Sequence, residues 1–327
     1  MAIHKFKVLL THPIPEQWLS TLNNDVKLII GPDEMMGLAP ELYKYLPEVD
    51  GLISFLCDRI NAEIIHNAPN IRVICNFAAG IDNIDLLACT AQKIPVGITP
   101  GVLTDATADL TMGLVLAVNR QLVQAAANAH SGKWKMWYAS RWLGMGLSGA
   151  ILGVFGMGKI GCAVAKRAHA FGMNVIYTSR TPKPEYEITL NAHQVAFQEL
   201  LKTSDILSLH APLTPETNKI MDANAFKLMK PTAILINTAR GAEVDTEALF
   251  SALSNRQIAA AGLDVTDPEP LPASHPLYEL PNCLILPHLG SATVGARKAM
   301  AAMTCENLLA GLRREKLPYC ANPEVYL

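Results

Sequence analysis

The chain has 327 residues, half of them hydrophobic and 17% charged, with 27 basic against 29 acidic side chains and a formal net charge of −2. That is apolar material for about two cored domains of roughly 150 residues each. The near-neutral balance, with a pI near 6.5, argues against a nucleic-acid-binding or anionic-membrane surface, so an anionic substrate has to be drawn by a local site.

No stretch approaches the roughly 18 uninterrupted apolar residues of a membrane span. Residues 1–10 read as a first strand and carry no apolar run followed by a small-residue cleavage site, so no secretory leader is expected. Short apolar runs then alternate with amphipathic stretches. Strands are predicted over Phe6–Leu10, Val26–Ile30, Gly51–Ser54, Arg72–Cys75 and Val96–Ile98, with helix-like stretches at Pro15–Leu22 and Pro40–Tyr45. Thr99-Pro100-Gly101 breaks the chain. An unbroken helical pattern follows from Thr104 to Asn119, with Leu110, Leu114 and Val118 on one stripe. A second strand series covers Ile151–Phe155, Asn174–Thr178, Asp205–His210, Ala233–Asn237, Ala260–Asp264 and Leu284–Leu286, and a final helix runs from Ala292 to Leu312. Strand-helix alternation predicts an α/β protein with two doubly wound parallel sheets. The final helix is expected to return to the first domain. That domain is then discontinuous, residues 1–100 with 291–327, around a second domain of residues 101–290. Seven cysteines, at 57, 75, 89, 162, 283, 305 and 320, are dispersed without a C-x-x-C pair. They read as reduced thiols of a cytoplasmic protein, with neither a disulfide framework nor a metal site.

The segment Ile151–Arg180 carries Gly156-x-Gly158-x-x-Gly161 between a buried-strand pattern and a helix. Ile160, Val164, Ala168 and Phe171 share one face of that helix, and Gly172 is placed to end it. Gly156 permits the tight turn, Gly158 lets backbone approach a pyrophosphate, and Gly161 lets helix pack on strand. The helix N-terminus then offers free N–H groups and a positive dipole end to phosphates. The next strand ends in Thr178-Ser179-Arg180-Thr181, with no acid to bind ribose hydroxyls. Ser179 and Thr181 can donate to a 2′-phosphate and Arg180 can pair with it, with Lys183 close behind. This favours NADP over NAD, NAD remaining the alternative.

Three motifs follow at the carboxyl ends of predicted strands, where open α/β sheets bind ligands. "ILINTARG" places Arg240, "AGLDVTDPEP" places Asp264 and Glu269, and "LILPHLGSAT" places His288. With the glycine fingerprint these motifs resemble the D-isomer-specific 2-hydroxyacid dehydrogenase family along essentially the whole chain. "NFAAGIDNIDL", "TPGVLTDATADLTMGL" and "YTSRTPKP" resemble its glyoxylate/hydroxypyruvate and 2-ketogluconate reductases more narrowly. The resemblance implies a Rossmann coenzyme domain with a smaller flavodoxin-like substrate domain, and NADPH-dependent reduction of a small 2-oxo acid to a D-2-hydroxy acid.

The resemblance also implies residue roles. His288 is the general acid, a task suited to an imidazole titrating near neutrality. Glu269 orients it and stabilises its protonated form. Arg240 binds the substrate carboxylate and carbonyl, and the amides of Ala79 and Gly80 in the first domain grip the carboxylate, so that substrate sits in an interdomain cleft with His288 and Arg240. The cofactor is lined by Thr107, Gly156, Met157, Gly158, Lys159, Ile160, Gly161, Ser179, Arg180, Thr181, Ala211, Pro212, Thr238, Ala239, Asp264 and Gly290. Asp264 faces the nicotinamide side, with Thr104 near it. The family's commoner Val-Gly pair is Ala79-Gly80 here, which alters the pocket wall. The aromatic run Trp134, Trp137, Tyr138 and Trp142 corresponds to an arm that packs on a partner subunit and predicts a homodimer.

Among alternatives, formate-oxidising relatives pair the histidine with glutamine where this chain has Glu269. Phosphite-oxidising relatives carry lysine where it has Ala79. A D-lactate-type dehydrogenase remains open, and a chain ending near Leu327 leaves no room for the regulatory domain of a phosphoglycerate dehydrogenase. Non-catalytic dinucleotide sensors on this fold keep the same Arg, Glu and His. The near-neutral charge and Arg180 argue against that class.

Overall fold

A computed structural model describes residues 5–22 and 25–327. The chain divides into two compact units, Met1–Leu103 with Thr293–Leu327, and Thr104–Ala292. The divisions fall just beyond the Thr99-Pro100-Gly101 breaker and Ser291.

In the first unit, β1 (Phe6–Leu10), β2 (Val26–Ile30), β3 (Gly51–Ser54), β4 (Val73–Asn76) and β5 (Val96–Gly97) form a wholly parallel sheet in the order β2-β1-β3-β4-β5. This is the flavodoxin-like winding, whose order reverses between β1 and β3. Side chains alternate across a strand. Val8 and Leu10 therefore pack with Met300, Cys305, Leu308 and Leu312 of the last helix, α10 (Val294–Leu312), while Leu9 packs on the other face. There it meets Ile64 and Ile65 of α1 (Ala62–His66), Cys89 of α2 (Leu86–Ala91), and Leu42 and Leu46. Covering both faces explains why these strands read as continuous apolar runs. The stretches expected to be helix-like near residues 15–22 and 40–45 are 3-10 turns at Glu16–Trp18, Ser20–Leu22 and Pro40–Glu48. Pro47, inside the last of these, lacks the N–H that a continuing α-helix would use.

The second unit holds β6 (Ile151–Phe155), β7 (Asn174–Thr178), β8 (His193–Gln194), β9 (Ile206–Leu209), β10 (Ile234–Asn237), β11 (Ala260–Leu263) and β12 (Cys283–Ile285). They form a parallel sheet in the order β12-β11-β10-β9-β6-β7-β8, a Rossmann winding that reverses between β6 and β9. One face packs on α3 (Thr104–Asn119) and α5 (Lys159–Ala170). The other packs on α7 (Phe197–Thr203), α8 (Ala223–Leu228) and α9 (Thr246–Ser254). Two shorter helices, α4 (Leu122–His130) and α6 (Pro184–Leu190), complete it. β8 escaped the sequence reading because its two residues are exposed and carry no apolar alternation.

α3 has the predicted bounds, but its buried face centres on Ala108, Thr111, Met112 and Val115, with Leu110 only half-buried. α5 ends as its sequence suggests. Gly172 takes φ +76, the Gly172 amide donates to His169 and the Met173 amide to Ala168, a Schellman closure. Phe171, expected on the packed face, is the C-cap residue and stays exposed.

Candidate active site

The glycine turn lies at the reversal between β6 and β9. Gly156 adopts φ +96, and a side chain there would collide with the backbone of His210 and Ala211. The His210 amide donates to the Phe155 carbonyl at 2.7 Å, which brings the loop of Ala211 and Pro212 flush against the turn. Gly161 faces the Gly156 carbonyl so closely that a Cβ would overlap it. Gly158 differs: a Cβ there meets nothing within 4 Å. Packing within the unit therefore does not demand this glycine. The space in front of it opens at the start of a 12-residue helix that has no side-chain cap, and it fits a dinucleotide pyrophosphate. Met157 is buried in the core, Ile160 is half-buried, and Lys159 is exposed. At the end of β7, Ser179 is half-buried, whereas Arg180 and Thr181 are exposed. Glu216 lies near Arg180. Hydrogen bonding from the Thr214 hydroxyl holds its carboxyl below the usual range, and the arginine adds to this. No sequence motif signalled that acid.

Arg240, Glu269 and His288 sit beyond the ends of β10, β11 and β12. His288 Nδ1 meets Glu269 Oε1 at 2.6 Å, and the Thr266 amide donates to Glu269 Oε2 at 3.2 Å. The pair is partly open, with side chains 29% and 40% exposed. His288 takes the left-handed conformation, φ +55, uncommon for a side-chain-bearing residue. Three bonds to Asp264 hold it there: the His288 amide to the Asp264 carbonyl, the Leu289 amide to Oδ1 at 2.7 Å and the Gly290 amide to Oδ2 at 2.8 Å. Burial raises the Asp264 carboxyl above its ordinary range, against the pull of those two amides and of His288. Asp264 thus has a local task, fixing the 288–290 turn, that the sequence did not suggest. Thr107 lines the same corner: a Cβ on Gly290 would lie 3.3 Å from both Thr107 Oγ1 and Asp264 Oδ2. Thr111 Oγ1 then bridges the Thr107 carbonyl and Thr238 Oγ1 at 2.8 and 2.9 Å.

Arg240 is half-buried, and its Nη1 donates to the Ala239 carbonyl at 2.7 Å. The loop that carries it is organised by Asn237, a fully buried residue that the sequence reading passed over. Asn237 Nδ2 donates to the Arg240 carbonyl and its Oδ1 accepts from the Ala239 amide. Gly241 has no room for a side chain because the 266–267 peptide lies against it, so the Arg240 and Glu269 loops are packed together.

Ala79 and Gly80 belong to the first unit. They are half-exposed, and among the described residues neither amide donates a hydrogen bond. Another strand-ending asparagine, Asn76, is fully buried beneath them. Its Nδ2 donates to the Gly80 carbonyl at 2.8 Å and to Asn83 Oδ1 at 2.9 Å. Of the aromatic run, Trp134 and Trp137 are 69% and 80% exposed, and Arg141 stacks on Tyr138 at 3.9 Å. No helix among the described residues is long and apolar enough to cross a membrane.

Residues 112–290 match the family model for the NAD-binding domain of D-isomer-specific 2-hydroxyacid dehydrogenases. The chain is 45% identical to a glyoxylate reductase of Thermococcus litoralis, over 98% of both chains. A solved Thermus thermophilus structure superimposes with a TM-score of 0.90 at 47% identity, covering 96% of this chain and 99% of that one. An NADPH-dependent glyoxylate/hydroxypyruvate reductase of Sinorhizobium meliloti, solved with NADP and malonate, gives 0.84 at 30% identity over 98% of each chain. A full-length match at this identity, on two parallel sheets with a glycine turn and a buttressed histidine–glutamate pair, makes the chain a member of the D-isomer-specific 2-hydroxyacid dehydrogenase family.

Proposed function

We propose that this enzyme is an NADPH-dependent reductase of glyoxylate and hydroxypyruvate, with 2-ketogluconate as a larger candidate substrate, and that it works as a homodimer. The observation that carries the reading is the His288–Glu269 pair. Glu269 occupies Nδ1, so Nε2 is left to give its proton to a carbonyl oxygen. The reduced nicotinamide, when bound, supplies the hydride to the carbonyl carbon. His288 protonates the oxygen, and Glu269 holds the ring and balances its charge. The Arg240 fork suits the substrate carboxylate, and the open amides of Ala79 and Gly80 suit an anion of the same kind. The first unit serves as substrate domain and the second as coenzyme domain.

The S. meliloti relative carries NADP, and the absence of an acid within Thr178–Thr181 agrees with that cofactor. The dimer rests on the exposed indoles of Trp134 and Trp137, an apolar patch of the kind that partner subunits cover. The test is a panel of the three acids with NADPH and NADH, run on the parent and on Arg180→Ala. Turnover of roughly 1–1,000 per second with NADPH is expected, and Arg180→Ala should raise KM for NADPH far more than for NADH. Equal effects on both cofactors would overturn the NADP assignment. The absence of turnover with all three acids would overturn the substrate assignment.

A further inference from the structure

We propose that His12, Cys57 and Asp58 form a binding site for a divalent late transition metal, zinc foremost, in the first unit. His12 follows β1, and Cys57 and Asp58 lie in the loop after β3. The three therefore stand at the carboxyl ends of the two strands between which the sheet order reverses, the place where such sheets hold ligands. His12 Nε2 lies 3.0 Å from Asp58 Oδ1 and 3.3 Å from Cys57 Sγ, and all three donor atoms fall within 4.8 Å of one another. Zinc bonds of about 2.0–2.1 Å to nitrogen or oxygen and about 2.3 Å to sulfur, set at tetrahedral angles, give ligand separations of about 3.3–3.6 Å. Both separations from His12 Nε2 are within a few tenths of an ångström of that range. No other such grouping occurs among the described residues.

The surrounding hydrogen bonds fix which atoms remain for a cation. His12 Nδ1 lies 3.2 Å from the Pro32 carbonyl, which can only accept, so Nδ1 carries the hydrogen. Both ring nitrogens thus face oxygen acceptors, the Pro32 carbonyl and Asp58 Oδ1, an arrangement met by an imidazolium or, with hydrogen on Nδ1 alone, by a cation bound at Nε2. Asp58 Oδ2 is already taken by the Thr11 hydroxyl and the Phe55 amide, which leaves Oδ1 aimed at the ring. Phe55 holds the imidazole edge-on at 5.2 Å. Carbonyl-held histidine and hydrogen-bonded carboxylate are the usual outer support of a metal site. A cysteine–histidine–aspartate relay does not fit, because a relay needs thiol and carboxylate on different ring nitrogens and here both meet Nε2.

The charges balance. On binding, the thiol releases one proton, and thiolate and carboxylate then offset the 2+ ion. This suits a site in which His12 and Asp58 are 8% and 0% exposed. Sulfur and imidazole select zinc, cobalt, nickel or copper over magnesium and calcium. Three protein donors leave one tetrahedral position for water or another small ligand. No local spacing signals the site, because 45 residues separate His12 from Cys57.

The test is titration of chelator-treated full-length protein with cobalt(II) and zinc. One ion per chain is expected, with a near-ultraviolet sulfur-to-cobalt charge-transfer band. Cys57→Ser should remove the band and weaken zinc binding at least about tenfold, and His12→Gln should weaken it comparably. Cys57 is exposed, so its replacement leaves the core intact, and Cys320→Ser serves as the thiol control. The absence of a saturable equivalent, or a band that persists in Cys57→Ser, would overturn the site. Neither readout depends on reductase activity.

Discussion

Glu243 offers a quantitative test of how burial governs charge in the second unit. It is completely buried, and neither carboxyl oxygen receives a well-aligned hydrogen bond. Burial pushes its pKa from an ordinary 4.5 up to about 8, against weaker pulls from the amide and guanidinium of Arg240. A carboxyl with a raised folded-state value favours the proton in the folded chain. Its contribution is therefore most favourable below the unfolded value and declines as pH climbs toward the folded one. At about 1.36 kcal/mol per pKa unit, the whole displacement corresponds to roughly 5 kcal/mol. Linkage assigns about 2–3 kcal/mol of that to the interval from roughly pH 6 to 9. Glu243→Gln keeps the shape and cannot ionise. Urea unfolding of parent and variant at both pH values should show the parent losing about 2–3 kcal/mol relative to the variant as pH rises. Parallel stabilities at the two pH values would mean that the ionised carboxylate finds water or a donor, and would refute the reasoning.

His288→Ala should lower kcat for glyoxylate roughly 10²–10⁴-fold while the NADPH dissociation constant, read by fluorescence, stays within about twofold; lost cofactor binding would contradict its assignment as the acid. Asn237→Ala frees the Arg240 carbonyl and the Ala239 amide, so KM for the keto acid should rise about tenfold with a stability loss of about 1–3 kcal/mol; an unchanged KM would show that Arg240 holds its place without Asn237. Gly158→Val and Gly161→Ala should separate ligand space from packing. The first should abolish NADPH binding by calorimetry at near-parental thermal stability, and the second, whose Cβ overlaps the Gly156 carbonyl, should lower stability. Matching stability losses would remove the cradle assigned to Gly158.

The positions of most strands were legible, because a strand buried on both faces leaves a continuous apolar run; their order in the two sheets was not. Val8–Leu10 and Ile234–Ile236 are such runs. The glycine turn and the Arg240, Glu269 and His288 loops were legible because their residue types are demanded by chemistry and follow apolar strands. What stayed hidden depends on contacts between segments distant in sequence. Asn76 and Asn237 carried no signal of their own, and only the fold shows their side chains bonded to the loops that follow. No sequence pattern marked Glu243, whose burial follows from the packing of the loop after β10. His12 carried no signal until the parallel pairing of β1 with β3 placed it beside Asp58.

His288, Glu269 and Arg240 are held from below more than by one another. A half-exposed pair such as His288–Glu269 is worth about 1 kcal/mol or less in stability, too little to impose a left-handed residue in a loop. Asp264 supplies the larger constraint. Its two oxygens accept successive amides beyond His288 while its own carbonyl accepts the His288 amide, so the ring's direction follows from the end of β11. Asn237 does the same for Arg240 from the end of β10. Neighbouring strands in fixed parallel register thus carry the spacing of His288 and Arg240, and the loops themselves need little intrinsic rigidity to keep it.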